Sequence, residues 1–429
     1  MRRNSYSMGS IVTTPHVLTW VIAALATLGV VSRPFGLPEA LFAVAGAVLL
    51  ALFGLLPLDG VWHGIAKGTD VYLFLIGMML LAEIARKEGL FDWVAGHAVR
   101  AAKGSALRLF ALVYGVGILV TVFLSNDACA VVLTPAVYYA TRAAKVKNPL
   151  PYLFSCAFIA NAASFVLPIS NPANLVVFAE HMPELSRWLA LFTVPSILAI
   201  AATFLTLWAT QAKVLRAEQL SEGGAVDALP TTGRIAGCGL ILTILVLLGA
   251  SALDLELGLP TFLAGFATFL VVVACKRGGG LELLKHISWG VLPLVAGLFV
   301  LVEALETTGV LQALANQLQA AAQATPERAA WGAGLLVAFG SNLVNNLPAG
   351  LLAGAAVQAA HVSEKIAGAV LIGIDLGPNL SITGSLATLL WLAALRREGL
   401  SVSFWQFLKL GAVVMIPALL LALAALIHL

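Results

Sequence analysis

The chain has 429 residues, of which 60% are hydrophobic and 10% charged, with a formal net charge of +3. Soluble domains carry about 25% charged residues, so this chain has too few to cover a water-facing surface. A lipid bilayer is the surrounding it fits, and nothing in it points to a nucleic-acid partner.

In chain order, Arg2 and Arg3 precede a short apolar run at 17–32. This is not a signal peptide ahead of a soluble domain, because further apolar runs at 40–56 and 72–85 follow at once. Runs at 189–210, 235–252 and 404–427 follow, near the ~20 residues a spanning helix requires. The longest polar stretch, 213–233, reads as a cytoplasmic linker between a first transmembrane repeat, 1–212, and a second, 234–429. Leu81-Ala82-Glu83-Ile84-Ala85 with Gly89-Leu90 matches Leu301-Val302-Glu303-Ala304-Leu305 with Gly309-Val310 at a constant offset of 220. Asn126-Asp127 pairs with Asn345-Asn346, and Ser170–Leu175 pairs loosely with Thr383–Thr388.

Each half reads as three spans, a re-entrant hairpin, a broken span and a final span. The hairpins fall at 107–141 and 331–360, with tips near Asn126 and Asn345. The broken spans fall at 152–178 and 366–395, interrupted near 168–172 and 377–384. A hairpin returns to its own side, so each half crosses five times and the second half is inverted. The expected fold is an all-α polytopic membrane protein of two inverted repeats. With the amino terminus outside, 18 of the 24 basic residues fall in cytoplasmic loops, as the positive-inside rule requires. Arg2 and Arg3 run against it.

Several function classes fall away. No GxxxxGK[ST] loop is present, so transport draws on an ion gradient or a separate ATPase. Cys129, Cys156, Cys238 and Cys275 sit singly, which argues against a disulfide framework or zinc site. No catalytic set, metal site or cofactor is read from the sequence. The histidines do not cluster: most, His286 among them, fall near interfaces, and His97 lies on an amphipathic stretch at the membrane surface.

Non-helical backbone at membrane depth survives only where it lines a cavity or is buried in protein, so the four breaks are the candidate site. Asn126, Ser170, Asn171, Asn174, Asn345, Asn346, Thr383 and Ser385 are the expected substrate-binding set, with Ser341, Asn342, Asn379 and Ser381 beside them. The competing reading is that these groups cap helices and hold them together. Asp127, at a hairpin tip, and Asp375, inside a broken span, are the expected proton-coupling groups. An intramembrane carboxylate is costly unless paired, hydrated or protonated, and loading and releasing a proton turns that cost into a coupling device. Glu83 and Glu303 lie near span ends and read as structural. No Lys or Arg enters the breaks, so a neutral or cationic cargo is favoured over a multivalent anion.

Ile374-Asp375-Leu376-Gly377-Pro378-Asn379-Leu380, followed by Thr383-Gly384-Ser385-Leu386-Ala387-Thr388, resembles the signature of the arsenical pump membrane protein (ArsB) family of the ion-transporter superfamily. Asn126-Asp127 with Leu133-Thr134-Pro135 is similar to that family's first hairpin, and Asn345-Asn346-Leu347-Pro348 to its second. The Ser-Asn-Pro-x-Asn pattern at 170–174 is instead similar to other branches of the superfamily. The resemblance implies a multi-pass protein of the cell inner membrane that exports arsenite or antimonite in exchange for protons, sometimes with an ArsA-type ATPase. Neutral As(OH)3 suits a pocket of amides and hydroxyls. The alternatives are a sodium/proton antiporter, a sodium-coupled dicarboxylate carrier, and a channel or passive subunit dependent on an ATPase.

Overall fold

The computed structural model describes residues 14–178, 182–218, 220, 227–253, 255–276 and 280–428. Arg2, Arg3, His181, Asp254, Arg277 and most of the linker centre lie outside the described residues. Every described element is a helix.

The first half opens with α1 (Thr14–Ser32), α2 (Glu39–Leu52), a short amphipathic α3 (Leu58–Lys67) and α4 (Thr69–Lys87). Then come α5 (Leu90–Ala102), the hairpin arms α6 (Ala106–Phe123) and α7 (Asn126–Ala128) with α8 (Thr134–Ala143), and the broken helix α9 (Leu150–Ala162) and α10 (Pro172–Phe178). The half ends in α11 (Leu185–Ala217). The second half repeats the order: α12 (Thr231–Ala252), α13 (Gly258–Lys276), α14 (Gly280–His286), α15 (Val291–Thr307), α16 (Val310–Ala324), α17 (Pro326–Val344), α18 (Asn346–Ala360), α19 (Glu364–Leu376), α20 (Leu386–Arg397) and α21 (Phe404–His428). The helices on either side of the linker extend into it, because Lys213 and Arg216 continue α11 to Ala217 and α12 starts at Thr231.

The offset of 220 has a physical origin. Gly89 and Gly309 both adopt positive φ, 73° and 77°, at the sharp entries to α5 and α16. A residue with a Cβ is disfavoured in that conformation. The entry turns the chain onto an amphipathic helix, bent by 76° between α15 and α16. Both arms of the first hairpin rest on α5, and both arms of the second rest on α16. Each hairpin thus folds back over one amphipathic helix, and of the hairpin arms α6 is long and apolar enough to cross a membrane.

Packing is reciprocal between the halves. Helix α4 lies on α13, and its repeat-mate α15 lies on α2; α11 lies on its own mate α21. This is the pattern of a pseudo-two-fold axis. The axis is held together by glycines at matching positions. A Cβ on Gly77 of α4 would collide with the Thr261 carbonyl of α13, and one on Gly297 of α15 would lie 2.7 Å from the Ala43 carbonyl carbon of α2. Small residues allow this approach, and close van der Waals packing drives helix association in lipid. The broken helices cross over: α10 packs on α18 of the second hairpin, and α20 on the arms of the first.

Gly77→Ala is therefore expected to destabilise the purified protein by roughly 1–3 kcal/mol through overpacking, read as a fall in its thermal midpoint in detergent. Gly115→Ala is the control, since its Cβ would meet nothing within 4 Å and the midpoint should hold or rise.

Candidate functional site

The broken helices meet at the centre of the molecule. Asn171 precedes α10 and caps it, its Oδ1 accepting from the Ala173 N–H at 3.0 Å. Its Nδ2 donates to Asp375 Oδ1 of α19 at 2.7 Å. In the opposite direction, Asn161 of α9 donates from Nδ2 to Asn379 Oδ1 at 3.0 Å and to Thr388 Oγ1 of α20 at 3.4 Å. Asn161 and Asp375 hold equivalent places, 214 residues apart in α9 and α19. Each of these equivalent residues thus bonds across to the broken helix of the other half, Asp375 to Asn171 and Asn161 to Asn379 and Thr388. Asn161 is fully enclosed inside an apolar run, which hid it from motif reading; alignment at offset 214 identifies it.

The remaining break residues are occupied by protein groups. Asn174 donates to the Ser164, Leu167 and Pro168 carbonyls at 2.8–3.3 Å. Ser170 donates to the Val122 carbonyl at 2.9 Å, fastening the break to the first hairpin. Ser385 caps α20, accepting from the Thr388 N–H. In the second hairpin the Asn346 N–H donates to the Gly384 carbonyl at 2.8 Å, Asn345 Nδ2 to the Thr383 carbonyl, and Thr383 Oγ1 to the Asn342 carbonyl. Asn345 holds φ 74° and ψ 154°, a conformation that costs about 1–3 kcal/mol away from glycine, and these bonds hold it there. Two buried acceptors, Asn174 Oδ1 and Asp375 Oδ2, have no partner among the described residues.

The hairpin pairing is one residue off the sequence expectation. Ser125 and Asn345 both serve as N-caps, accepting from the Ala128 and Leu347 N–H groups. Ser125 thus matches Asn345, and Asn126 matches Asn346, which restores the offset of 220. Capping geometry, not the shared Asn, sets the register. Asp127 then matches Leu347, so the second half has no carboxylate at this place.

Asp127 lies apart from the amides. It borders a cavity of about 90 Å³ between the first hairpin (Ser125, Asp127), α4 (Met78, Met79, Glu83) and the α14–α15 turn (His286, Ser288). At ~30 Å³ per water molecule, it has room for about three waters or one small solute. The Asp127 carboxylate makes no hydrogen bond or ion pair with a described residue. Just beyond it the chain makes a π-helical turn, Cys129–Leu133. Pro135 cannot donate to the ladder, and Thr134 Oγ1 serves the Cys129 carbonyl at 3.3 Å. The α4 residues that border it run from Phe74 to Glu83, ending just before Arg86 and Lys87. No Lys or Arg lines it, and Arg86 grips both Glu83 oxygens, at 2.8 and 2.5 Å. Of the ten site residues expected from sequence, the structure brings Asp127 alone to this cavity. It places Asn171 and Asp375 together in the crossing, and Asn345, Asn346 and Thr383 together at the second hairpin tip.

A family model described as a citrate transporter (CitMHS) matches residues 17–378. The chain belongs to the CitMHS family. Its similarity to the arsenical pump membrane protein of Escherichia coli (strain K12) is 29% identity over 428 residues, covering 96% of this chain and 98% of that one. The arsenical pump membrane protein of Yersinia enterocolitica is 28% identical over 380 residues, covering 85% and 87%. An uncharacterized transporter of Mycobacterium tuberculosis is 26% identical over 413 residues, covering 90% and 92%. Among solved structures, the Alcanivorax borkumensis YdaH transporter superposes with a TM-score of 0.60 at 16% identity, covering 97% and 98%. Neisseria gonorrhoeae MtrF, titled as an antimetabolite efflux pump, gives 0.54 at 14%, covering 97% and 95%. These two share the fold. This CitMHS member is a multi-pass transporter of the inner membrane.

Asn161→Ala is expected to cost about 1–3 kcal/mol, because Asn379 Oδ1 is left buried without its donor. A double-mutant cycle with Asn379→Ala, followed by thermal midpoint, should show non-additivity of at least ~0.5 kcal/mol.

Proposed function

We propose that the chain exports uncharged arsenite or antimonite, As(OH)3 or Sb(OH)3, in exchange for protons, with Asp127 carrying the proton. The cavity is the observation that carries this reading. It presents a carboxylate without a partner beside the Ser125 and Ser288 hydroxyls, in a volume suited to a small solute, with no Lys or Arg on its walls. Hydroxyls and carboxylate can accept from and donate to the hydroxyls of a neutral triol. Citrate, with several carboxylates, would enter a site that already holds an unpaired negative group and offers no guanidinium or ammonium to bind it. The full-length similarity to arsenical pumps supports the same choice.

Exchange follows from competition for one group. A protonated Asp127 loses its charge and accepts the cargo's hydroxyls more weakly, and cargo in the cavity favours the ionised form, so each ligand weakens the other. On the orientation read from the basic residues, the end of α4 that borders the cavity faces the cytoplasm, where cargo for export must load. Asp375 is the second coupling group of this reading: its Oδ2 is buried without a donor, and a proton would remove the charge. The amides and hydroxyls of the breaks and hairpin tips, Asn126, Ser170, Asn171, Asn174, Asn345, Asn346, Thr383 and Ser385, join the cargo path as the cavity moves across the membrane. The proton gradient, or a separate ArsA-type ATPase, supplies the drive.

An unpartnered carboxylate on the cavity wall also favours a second reading, sodium/proton antiport, with sodium beside Asp127. Everted membrane vesicles separate the two. The expected result is arsenite accumulation driven by an imposed proton gradient, reduced to background in Asp127→Asn. Sodium-dependent proton flux without arsenite uptake would replace this reading with the second. Intact proton-coupled uptake in Asp127→Asn would remove Asp127 from the coupling role.

A further inference from the structure

A proton leaving Asp127 for the cytoplasm must cross the cavity, and the walls limit where it can go. Three titratable side chains border the cavity: Asp127, Glu83 and His286. Both Glu83 oxygens are held by Arg86, which leaves that carboxylate a poor proton acceptor. His286 ends α14, is exposed, and makes no hydrogen bond or ion pair with a described residue. It stands at the mouth of the cavity, where the walls meet the basic end of the molecule.

We propose that His286 is the proton outlet of this transporter: its imidazole takes the proton that Asp127 releases into the cavity and passes it to the cytoplasm. This rests on the proton-exchange reading above. The balance is simple. Asp127 in its acid form gives H+ through cavity water to a neutral His286, leaving a carboxylate and an imidazolium; the imidazolium then loses H+ to the cytoplasm and the imidazole is restored. Histidine is the side chain whose ordinary titration falls between pH 5 and 8, the property a proton relay requires. The charged groups around it come from each neighbouring element. On its own helix, Glu282 pairs with Lys285 at 3.9 Å and with Lys87 of α4 at 3.8 Å. On α4, Arg86 is engaged by Glu83, and across the cavity stands Asp127. The turn into α15, Ser288-Trp289-Gly290-Val291, carries no ionisable side chain. His286 is therefore the free base nearest the exit.

The equivalent turn of the first half, between α3 and α4, provides no such group. The position before α4 that answers to the α14–α15 turn holds Lys67, and its ammonium is bound by Glu303 at 2.7 Å and Glu306 at 3.2 Å. An outlet on one face only suits a carrier that loads protons outside and sheds them inside.

The test uses the full chain reconstituted in liposomes, with a pH dye reporting arsenite-driven proton movement and labelled arsenite reporting arsenite–arsenite exchange. Exchange requires no net release of the Asp127 proton. For His286→Gln the expected result is net proton-coupled flux slowed at least about tenfold relative to exchange, with imidazole on the cytoplasmic side restoring the flux. The wild-type dependence of net rate on cytoplasmic pH should flatten in the variant. Wild-type flux in His286→Gln, or equal loss of flux and exchange without imidazole rescue, overturns the proposal. Absence of arsenite-linked proton movement in the wild type overturns the exchange reading instead.

Discussion

A helix that stops half-way across a bilayer leaves carbonyls and N–H groups where no water can reach them, and each one unmet costs several kcal/mol. This chain has four such stops. Each is closed by a polar group from a different segment: Ser170 serves the Val122 carbonyl of the first hairpin, and Asn379 serves the Phe158 carbonyl of α9. Asn342 serves the Gly377 carbonyl of the second break, and the Asn346 N–H donates to Gly384. Because the donors and acceptors lie on different elements, satisfying the backbone also locks the hairpins to the broken helices. The site is therefore preorganised by the same bonds that make the fold possible in lipid.

The two halves share this framework but differ in the chemistry placed on it. Glu83 and Glu303 are equivalent, yet one pairs with Arg86 in its own helix and the other with Lys67 of α3. Asp127 and Leu347 are equivalent, and only the first borders the cavity. A transporter with two identical faces would have no reason to bind protons differently from each side. Here a repeated scaffold carries an unrepeated carboxylate, so the two halves differ in the chemistry they bring to the cavity.

Much of the framework was legible in the sequence because it rests on residues with few substitutes. Gly89 and Gly309 mark the same left-handed turn, the apolar runs mark the spans, and proline marks the breaks. The polar set was legible as residues near breaks, but not as contacts. Ser125 and Asn345 do one job with different side chains, so matching letters slipped the register by one. Asn161 sits in a run of apolar residues, and only its partner Asp375 across the centre shows its role. The cavity drew on residues from α4, the hairpin and the α14–α15 turn, far apart in the chain. Met78, Glu83, His286 and Ser288 carry no local pattern that would gather them.

The central claim is that this cavity accepts a small neutral polyol and rejects a carboxylate anion. Thermal unfolding of the purified protein in detergent, titrated with arsenite or with citrate, tests it most directly, because a ligand bound to the folded state alone raises stability with its concentration. Saturable stabilisation by arsenite, none by citrate, and loss of the arsenite effect in Asp127→Asn is the result the account predicts. Stabilisation by citrate with no response to arsenite would contradict it.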